Sequence, residues 1–322
     1  RISFTNSDRQ GVGYNSRAVR RYLTVKTVFN PTKWLKASLD YKYTYRKNKN
    51  AAATGYSSSI LSEYTQWGQT NVNLKDYINN YTRPDGTFRT WNITDVDNYT
   101  AMFHDNPFAV MKEHNNIDVL NWNVITGDVE ATLPYNIKAG FKVNGNIRNE
   151  VIEDKIPAGL TNYGTPRYYE NQNHVMDLTF QGRLTWGDRF LNKKLSVDAA
   201  AFIEERKYNY GTLTANTVSG LEIPDFFNLS NSVGTVSASN SMTQYTTRGI
   251  YGTVTVGYND TYFLDGNIRN DWDSRLAKDD NAYLYGALSA SVMLNNIIAK
   301  DSKWLNYWKI RASFAQVGST LS

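Results

Sequence analysis

Residues 250–272 read IYGTVTVGYNDTYFLDGNIRNDW, and this stretch decides the fold. Ile250, Gly252, Val254, Val256 and Tyr258 fall on one parity, then Asn259-Asp260 marks a tight turn. The next run sets Tyr262, Leu264, Gly266 and Ile268 against Phe263, Asp265, Asn267, Arg269 and Asp271. The pattern continues with Leu284, Gly286, Leu288, Ala290, Val292 and Leu294, and then with Trp308, Ile310, Ala312 and Phe314 opposite Lys309, Arg311 and Ser313. A period of two residues is the side-chain alternation of a β-strand. Each run is about ten residues long, the length a tilted strand needs to cross a bilayer, whereas strands of soluble sheets average about five or six.

Working back toward the N-terminus, the same alternation predicts seven earlier strands. They lie near residues 2–4, 22–29, 35–46, 119–133, 137–148, 176–186 and 195–203. The clearest has Leu35, Ala37, Leu39, Tyr41, Tyr43 and Tyr45 on one side and Lys36, Ser38, Asp40, Lys42, Thr44 and Arg46 on the other. Residues 30–33 (Asn-Pro-Thr-Lys) read as a turn, since proline cannot donate to a ladder. The run 119–133 changes parity between Trp122 and Ile125, which predicts a bulge. Residues 47–116, 149–173 and 205–242 read as long loops, the first with a short helix near Leu74–Tyr81. Short and long connections alternate along the chain. That sorting predicts an all-β, antiparallel up-and-down transmembrane barrel with long external loops and short periplasmic turns.

Composition agrees with this reading. The chain has 322 residues and a mean hydropathy of −0.54, with no apolar run long enough for a membrane helix. Barrel strands alternate, so their average stays hydrophilic. The 23 Tyr and 8 Trp suit interfacial girdles, in which an apolar ring carries a polar tip. With no cysteine, disulfides, thiolate catalysis and Cys-ligated metals are excluded. The net charge of +5 comes from 35 basic residues spread along the chain, which argues against a nucleic-acid partner. The chain begins at Arg1 without a signal peptide and reads as an interior piece of a longer mature protein. About eleven strands do not close a single-chain bacterial barrel, so further strands are expected beyond it.

Several segments resemble SusC-like TonB-dependent outer-membrane transporters. They are YFLDGNIRNDW (262–272), WLNYWKIRASFAQVG (304–318), GLEIPDFFNLSNS (220–232), DNPFAVMKEHNNID (105–118) and Lys33-Trp34-Leu35, in the family's order along nearly the whole chain. The resemblance implies that residues 1–322 are part of one TonB-dependent receptor barrel of 22 strands, with its plug domain and closing strands outside the chain. It also implies residence in the outer membrane of a Gram-negative cell, a SusD-like surface lipoprotein as partner, coupling to TonB, and import of an oligosaccharide or a peptide. Two other roles fit the residues: a structural anchor or binding component of a surface assembly, and a soluble all-β carbohydrate-binding protein.

No catalytic signature is present, and no enzyme activity is expected. His104, His114 and His174 lack metal-ligand spacing. No cofactor is expected, although the loop carboxylates Asp95, Asp97, Asp271, Asp273, Asp279 and Asp280 are of the kind that holds Ca²⁺. The candidate ligand contacts are loop aromatics: Trp67, Tyr77, Tyr81, Trp91, Tyr163, Tyr168 and Tyr169. Such rings stack on sugar or peptide faces, and they equally pack long loops against themselves. Trp186, Tyr258, Tyr262, Trp304 and Trp308, at strand ends, read as girdle residues. Asp265, Asn267, Arg269, Lys309 and Arg311 are expected to line a lumen.

Overall fold

The computed structural model of the chain describes residues 1–51, 60, 68–299, 302 and 304–318. Its strands are β1 (Ile2–Gln10), β2 (Arg17–Thr32), β3 (Leu35–Lys49), β4 (Ile93–Asp95), β5 (Asn98–Ala101), β6 (Asn115–Thr132) and β7 (Ile137–Ile156). They continue as β8 (Arg167–Phe190), β9 (Leu195–Asn216), β10 (Ser237–Tyr258), β11 (Tyr262–Asp273), β12 (Ala282–Met293) and β13 (Lys309–Gln316). Among the described residues three short α-helices, α1 (Leu74–Asn79), α2 (Pro107–Glu113) and α3 (Asn295–Ile298), lie in the connections.

Eleven strands form one sheet in the order β1-β2-β3-β6-β7-β8-β9-β10-β11-β12-β13, and β4 and β5 pair separately. Every neighbouring pair is antiparallel, so the sheet is a continuous meander. Unbroken pairing carries each face across the strands. One cross-strand row is Ala139, Leu184, Ala201, Gly252, Ile268 and Gly286. The adjacent row on the opposite face is Lys36, Glu130, Gly140, Arg183, Phe202, Tyr251, Arg269 and Tyr285. Alternation along each strand thus becomes an apolar face and a polar face over the whole sheet.

The apolar face has no second layer over it. Phe4, Phe29, Phe141, Leu184, Ile203, Ile250, Leu264, Ile268, Leu288 and Phe314 are all exposed. A soluble sandwich would bury this face against another sheet. Leu184 is 55 % exposed, whereas the neighbouring Arg183 side chain is 16 % exposed. Curvature accounts for the contrast, because side chains crowd on the concave, polar side and splay on the convex, apolar side. That is barrel geometry with lipid as the solvent outside.

Three expectations need correction. The strands outrun their apolar segments: β7, β8, β9 and β10 extend to Ile156, Arg167, Asn216 and Ser237, so much of the predicted loops 149–173 and 205–242 is ladder. Beyond the apolar band both faces meet water, so hydrophobic alternation disappears while backbone pairing continues. There is no bulge in β6, whose register with β3 and β7 is unbroken. Its mixed parity arises because Asn121 and Asn123 sit on the outward face, where the Tyr43 and Tyr41 hydroxyls donate to them at 2.7 and 2.8 Å. The irregularity falls in β2 instead, between Phe29 and Thr32, around the missing N–H of Pro31. Finally, the periplasmic connections are not uniformly short: α3 lies between β12 and β13, in the stretch 294–308.

Candidate functional site

The concave face of β6 to β12 is a wall of arginines, aromatic rings and carboxylates. Its centre is the row that joins Arg183, Phe202, Tyr251, Arg269 and Tyr285. Phe202 and Tyr251 stack with centroids 4.5 Å apart and planes 11° from parallel. The Arg269 guanidinium lies 4.5 Å over the Tyr251 ring, and Gln181 donates to the Tyr251 hydroxyl at 2.7 Å. Tyr285 donates its hydroxyl to Asp271, which also accepts from Arg269 Nε at 2.8 Å. Nearer the loops, Tyr208 and Tyr245 stack at 4.8 Å, with Arg275 4.2 Å over Tyr245 and Arg206 paired to Asp177 at 2.7 Å.

Two glycines let arginines reach past a neighbouring strand. Arg183 of β8 crosses Gly140 of β7 and donates to Asp128 at 2.6 and 2.9 Å and to Glu130 at 2.9 Å, both on β6. A Cβ at Gly140 would stand 2.5 Å from Arg183 Cζ. Arg269 of β11 likewise crosses Gly249 of β10 to reach Glu204 of β9 at 3.1 Å, and a Cβ there would stand 2.7 Å from its Nη2. Each guanidinium therefore ties its own strand to the one two places away through its planar fork. The expected lumen residues Asp265, Asn267 and Arg269 all sit on this face. Asp271 and Asp273, read as loop carboxylates, lie on β11 instead and are ion-paired with Arg269 and Arg275. Among the described residues no group of three or more His, Cys, Asp or Glu is placed to hold a metal.

The loop aromatics fall in a folded cap, whose centre is α2. Asn106 caps α2 by accepting from the Phe108 N–H at 3.0 Å, and Pro107 occupies the first turn, where a missing N–H costs nothing. Ala109 and Val110 of α2 pack on Leu160 in a small core, against which Ile60, Tyr81, Phe88 and Tyr163 also pack. Asp105 ties this core to the β7–β8 connection by accepting from Thr161 N at 2.8 Å.

Each candidate ring has a defined place. Tyr77 meets Trp91 edge-on at 5.7 Å and carries Arg89 4.3 Å above it. Tyr81 lies near-parallel to Phe88 and donates to Glu113 at 2.6 Å, and that bond to a carboxylate pushes its pKa up to about 12. Tyr163 packs on His114, which contacts Asp154 at 2.5 Å. Tyr168 is buried and donates to Glu153 and Glu170 at 2.9 Å. Tyr169 is half-buried in β8. Trp67 lies outside the described residues. The structure brings Tyr81 and Tyr163 to one core, sets Tyr77 and Trp91 together beside it, and leaves Tyr168 and Tyr169 on the strand end.

The sequence reading missed the aromatic half of the inner wall. The loop expected over 205–242 takes in Tyr208, which the structure places on β9, and the alternation in the sequence gives no inner-wall role to Phe202, Tyr245 or Tyr251. The signal was there: Phe202, Glu204, Arg206 and Tyr208 share one parity, and Tyr245 and Tyr251 share another.

The fold is that of strands from an outer-membrane β-barrel, as the outward apolar face also requires, and it resembles the barrels of solved outer-membrane transporters. A structure of the RagAB peptide transporter superposes with a TM-score of 0.71 at 14% identity, over 97% of this chain and 34% of that one. RagAB in its open-open state gives 0.71 and 14%, over 98% of this chain and 34% of that chain. The ferric-catecholate import receptor Fiu from K12 E. coli gives 0.50 and 11%, over 92% and 44%. The chain therefore spans about a third of the length of the RagAB chains it matches. No protein-family model matches the chain, and no curated protein does.

Proposed function

We propose that this chain is part of an active outer-membrane transporter of the SusC type, and that it imports a bulky nutrient, with peptide preferred over oligosaccharide. The observation that carries the reading is the inner wall. Its exposed counterpart outside is apolar, so the polar face encloses a wet passage. Arginines beside stacked rings suit peptide carboxylates and aromatic side chains, and the peptide transporters that share the fold support that choice. The edge strands β1 and β13 need partners in lipid, which supports a larger barrel, and a plug would fill its lumen. A SusD-like lipoprotein would close the loop side, where Ile223, Phe226 and Val233 are exposed on the β9–β10 connection. Coupling to TonB would supply the driving force.

The test is uptake by cells that express the full protein with its lipoprotein, supplied in parallel with fluorescent mixed peptides and with labelled oligosaccharides. TonB-dependent accumulation of peptide, reduced by Tyr251→Ala with Arg269→Ala, is the expected result. Surface binding without accumulation would assign the barrel to an anchoring role, and accumulation of glycan alone would reverse the ligand class.

A further inference from the structure

We infer that the outward face of β8 to β12 carries a site for one phosphorylated lipid of the outer leaflet. The headgroup would sit at Lys207 and Arg248, and an acyl chain would lie in a groove below them. The groove holds about 680 Å³ between Leu184 and Leu288, over a floor of Ala199, Ala201, Gly252 and Gly266. The two glycines are not imposed by packing. A Cβ at Gly252 would come no closer than 3.5 Å to Ala200 O, and one at Gly266 no closer than 3.9 Å to Leu288. Larger residues would fit there, and they would fill the depression. Its level is the middle of the apolar band, where an acyl chain is the surrounding solvent.

The charge pattern above the groove selects the lipid. Two residues beyond Ala201 on the same face is Ile203, and its cross-strand partner is Ile250; both are exposed. Two residues further, Glu205 faces Arg248 across the ladder. Glu205 accepts from Arg248 Nε at 2.6 Å and pairs with Lys207 at 3.2 Å. Two cations thus share one carboxylate, and they are the exposed partners, at 67% and 55% against 29% for Glu205. Trp272 is the next cross-strand neighbour of Arg248, an indole at the depth where indoles anchor to headgroups. From Ala201 to Glu205 is about 13 Å along the strand at roughly 3.3 Å per residue. The end concerned is the loop end, so the leaflet is the outer one. A guanidinium and an ammonium with net positive charge at that interface match a phosphate.

The experiment is native mass spectrometry of the full protein, extracted in detergent and titrated with diphosphoryl lipid A or with the same lipid stripped of phosphate. One bound diphosphoryl lipid per protein is expected, with occupancy falling at least fivefold for Lys207→Ser with Arg248→Ser. A similar fall is expected for the groove-filling Ala201→Phe. The dephosphorylated lipid should bind at the reduced level throughout. Arg17→Ser, which removes an exposed arginine paired to Asp8 on β1, should leave occupancy unchanged. Heat-modifiable gel mobility reports that each variant is folded. Equal occupancy in all variants, or equal binding of both lipids, would overturn the site. So would a dimer dissociated by Ala201→Phe with lipid unaffected, since a second copy would then cover the groove. None of these readouts depends on transport.

Discussion

Arg183 lies directly over the backbone of Gly140 and passes across β7 to the two carboxylates of β6. The same relationship recurs between Arg269 and Gly249. In a single-layer sheet, a side chain reaches the strand beyond its neighbour with least obstruction where the residue between them has no Cβ. The two glycines therefore act as windows that let a fork-shaped cation join alternate strands.

Valine at position 140 separates this role from ordinary strand preference. A β-branched residue in place of a strand glycine normally stabilises. Here its Cβ takes the guanidinium's place, so Asp128 loses its arginine and Glu130 keeps only Lys138, at 3.5 Å. Gly140→Val should therefore destabilise by about 1–3 kcal/mol, the cost of leaving partly buried charged groups unpaired. Gly127 has nothing within 4 Å of an added Cβ, so Gly127→Val should be neutral or stabilising. Urea unfolding of the full protein in detergent, with both variants side by side, checks the contrast. Equal effects would refute the window.

The second window predicts coupling rather than simple loss. Arg269 stacks on Tyr251 and donates to Asp271 and Glu204, and lysine cannot reproduce the planar fork. Arg269→Lys and Glu204→Gln should each destabilise. In a double-mutant cycle their effects should be non-additive by about 0.5–3 kcal/mol, as for residues in one network. Additivity within error would mean that the 3.1 Å contact across β10 has no energetic weight.

The membrane-crossing half of each strand was legible because lipid outside and water inside impose opposite chemistries on successive residues. Leu35 to Tyr45 and Tyr262 to Asp271 show this directly. The outer half was not legible, since past Lys207 the residues Tyr208, Asn209 and Tyr210 put polar groups on both faces and leave no alternation to read. Asn121 and Asn123 hid a regular strand, because polar residues on an apolar parity are accommodated by tyrosine hydroxyls that only the pairing register reveals. The inner wall was half seen: the charges of Asp265 and Arg269 announced a lumen, while the stacking of Phe202 on Tyr251 depends on a cross-strand register that no single strand encodes. The cap around α2 was visible as aromatic content but not as a core, which needs Leu160 from a distant segment.

His104 gives the cap a pH dependence. Burial lowers its pKa below the ordinary value of 6.5, while the nearby Asp105 charge opposes the shift. The folded cap thus prefers neutral imidazole. Its contribution is complete above pH 6.5 and is lost as pH falls below that value toward the depressed one, where the unfolded segment binds the extra proton. Hydrogen exchange of residues 90–114 should therefore accelerate on going from pH 7.5 to 5.5, after correction for intrinsic rates. His104→Gln should flatten that dependence. A protection profile independent of pH in the native protein would contradict the assignment.

The β9–β10 connection turns on one amide. Asn231 is buried, donates to Ile223 O at 2.8 Å and to Phe226 O at 2.7 Å, and accepts from Ile223 N at 3.0 Å. Three backbone groups that no ladder serves are satisfied by this one side chain, which holds the exposed Ile223 and Phe226 in place. Asn231→Ala removes all three bonds, whereas Asn231→Asp keeps the acceptor but sets a carboxylate against two carbonyls. Both should destabilise the connection by about 1–3 kcal/mol, with Asp the worse because repulsion replaces attraction. The opening is local, since the barrel ladder ends at Asn216 and resumes at Ser237. Limited proteolysis should cut both variants within 217–236 faster than the native protein, while the urea midpoint of the barrel stays fixed. A shifted midpoint would place Asn231 in the barrel's cooperative unit, and unchanged cleavage would remove it from the loop's.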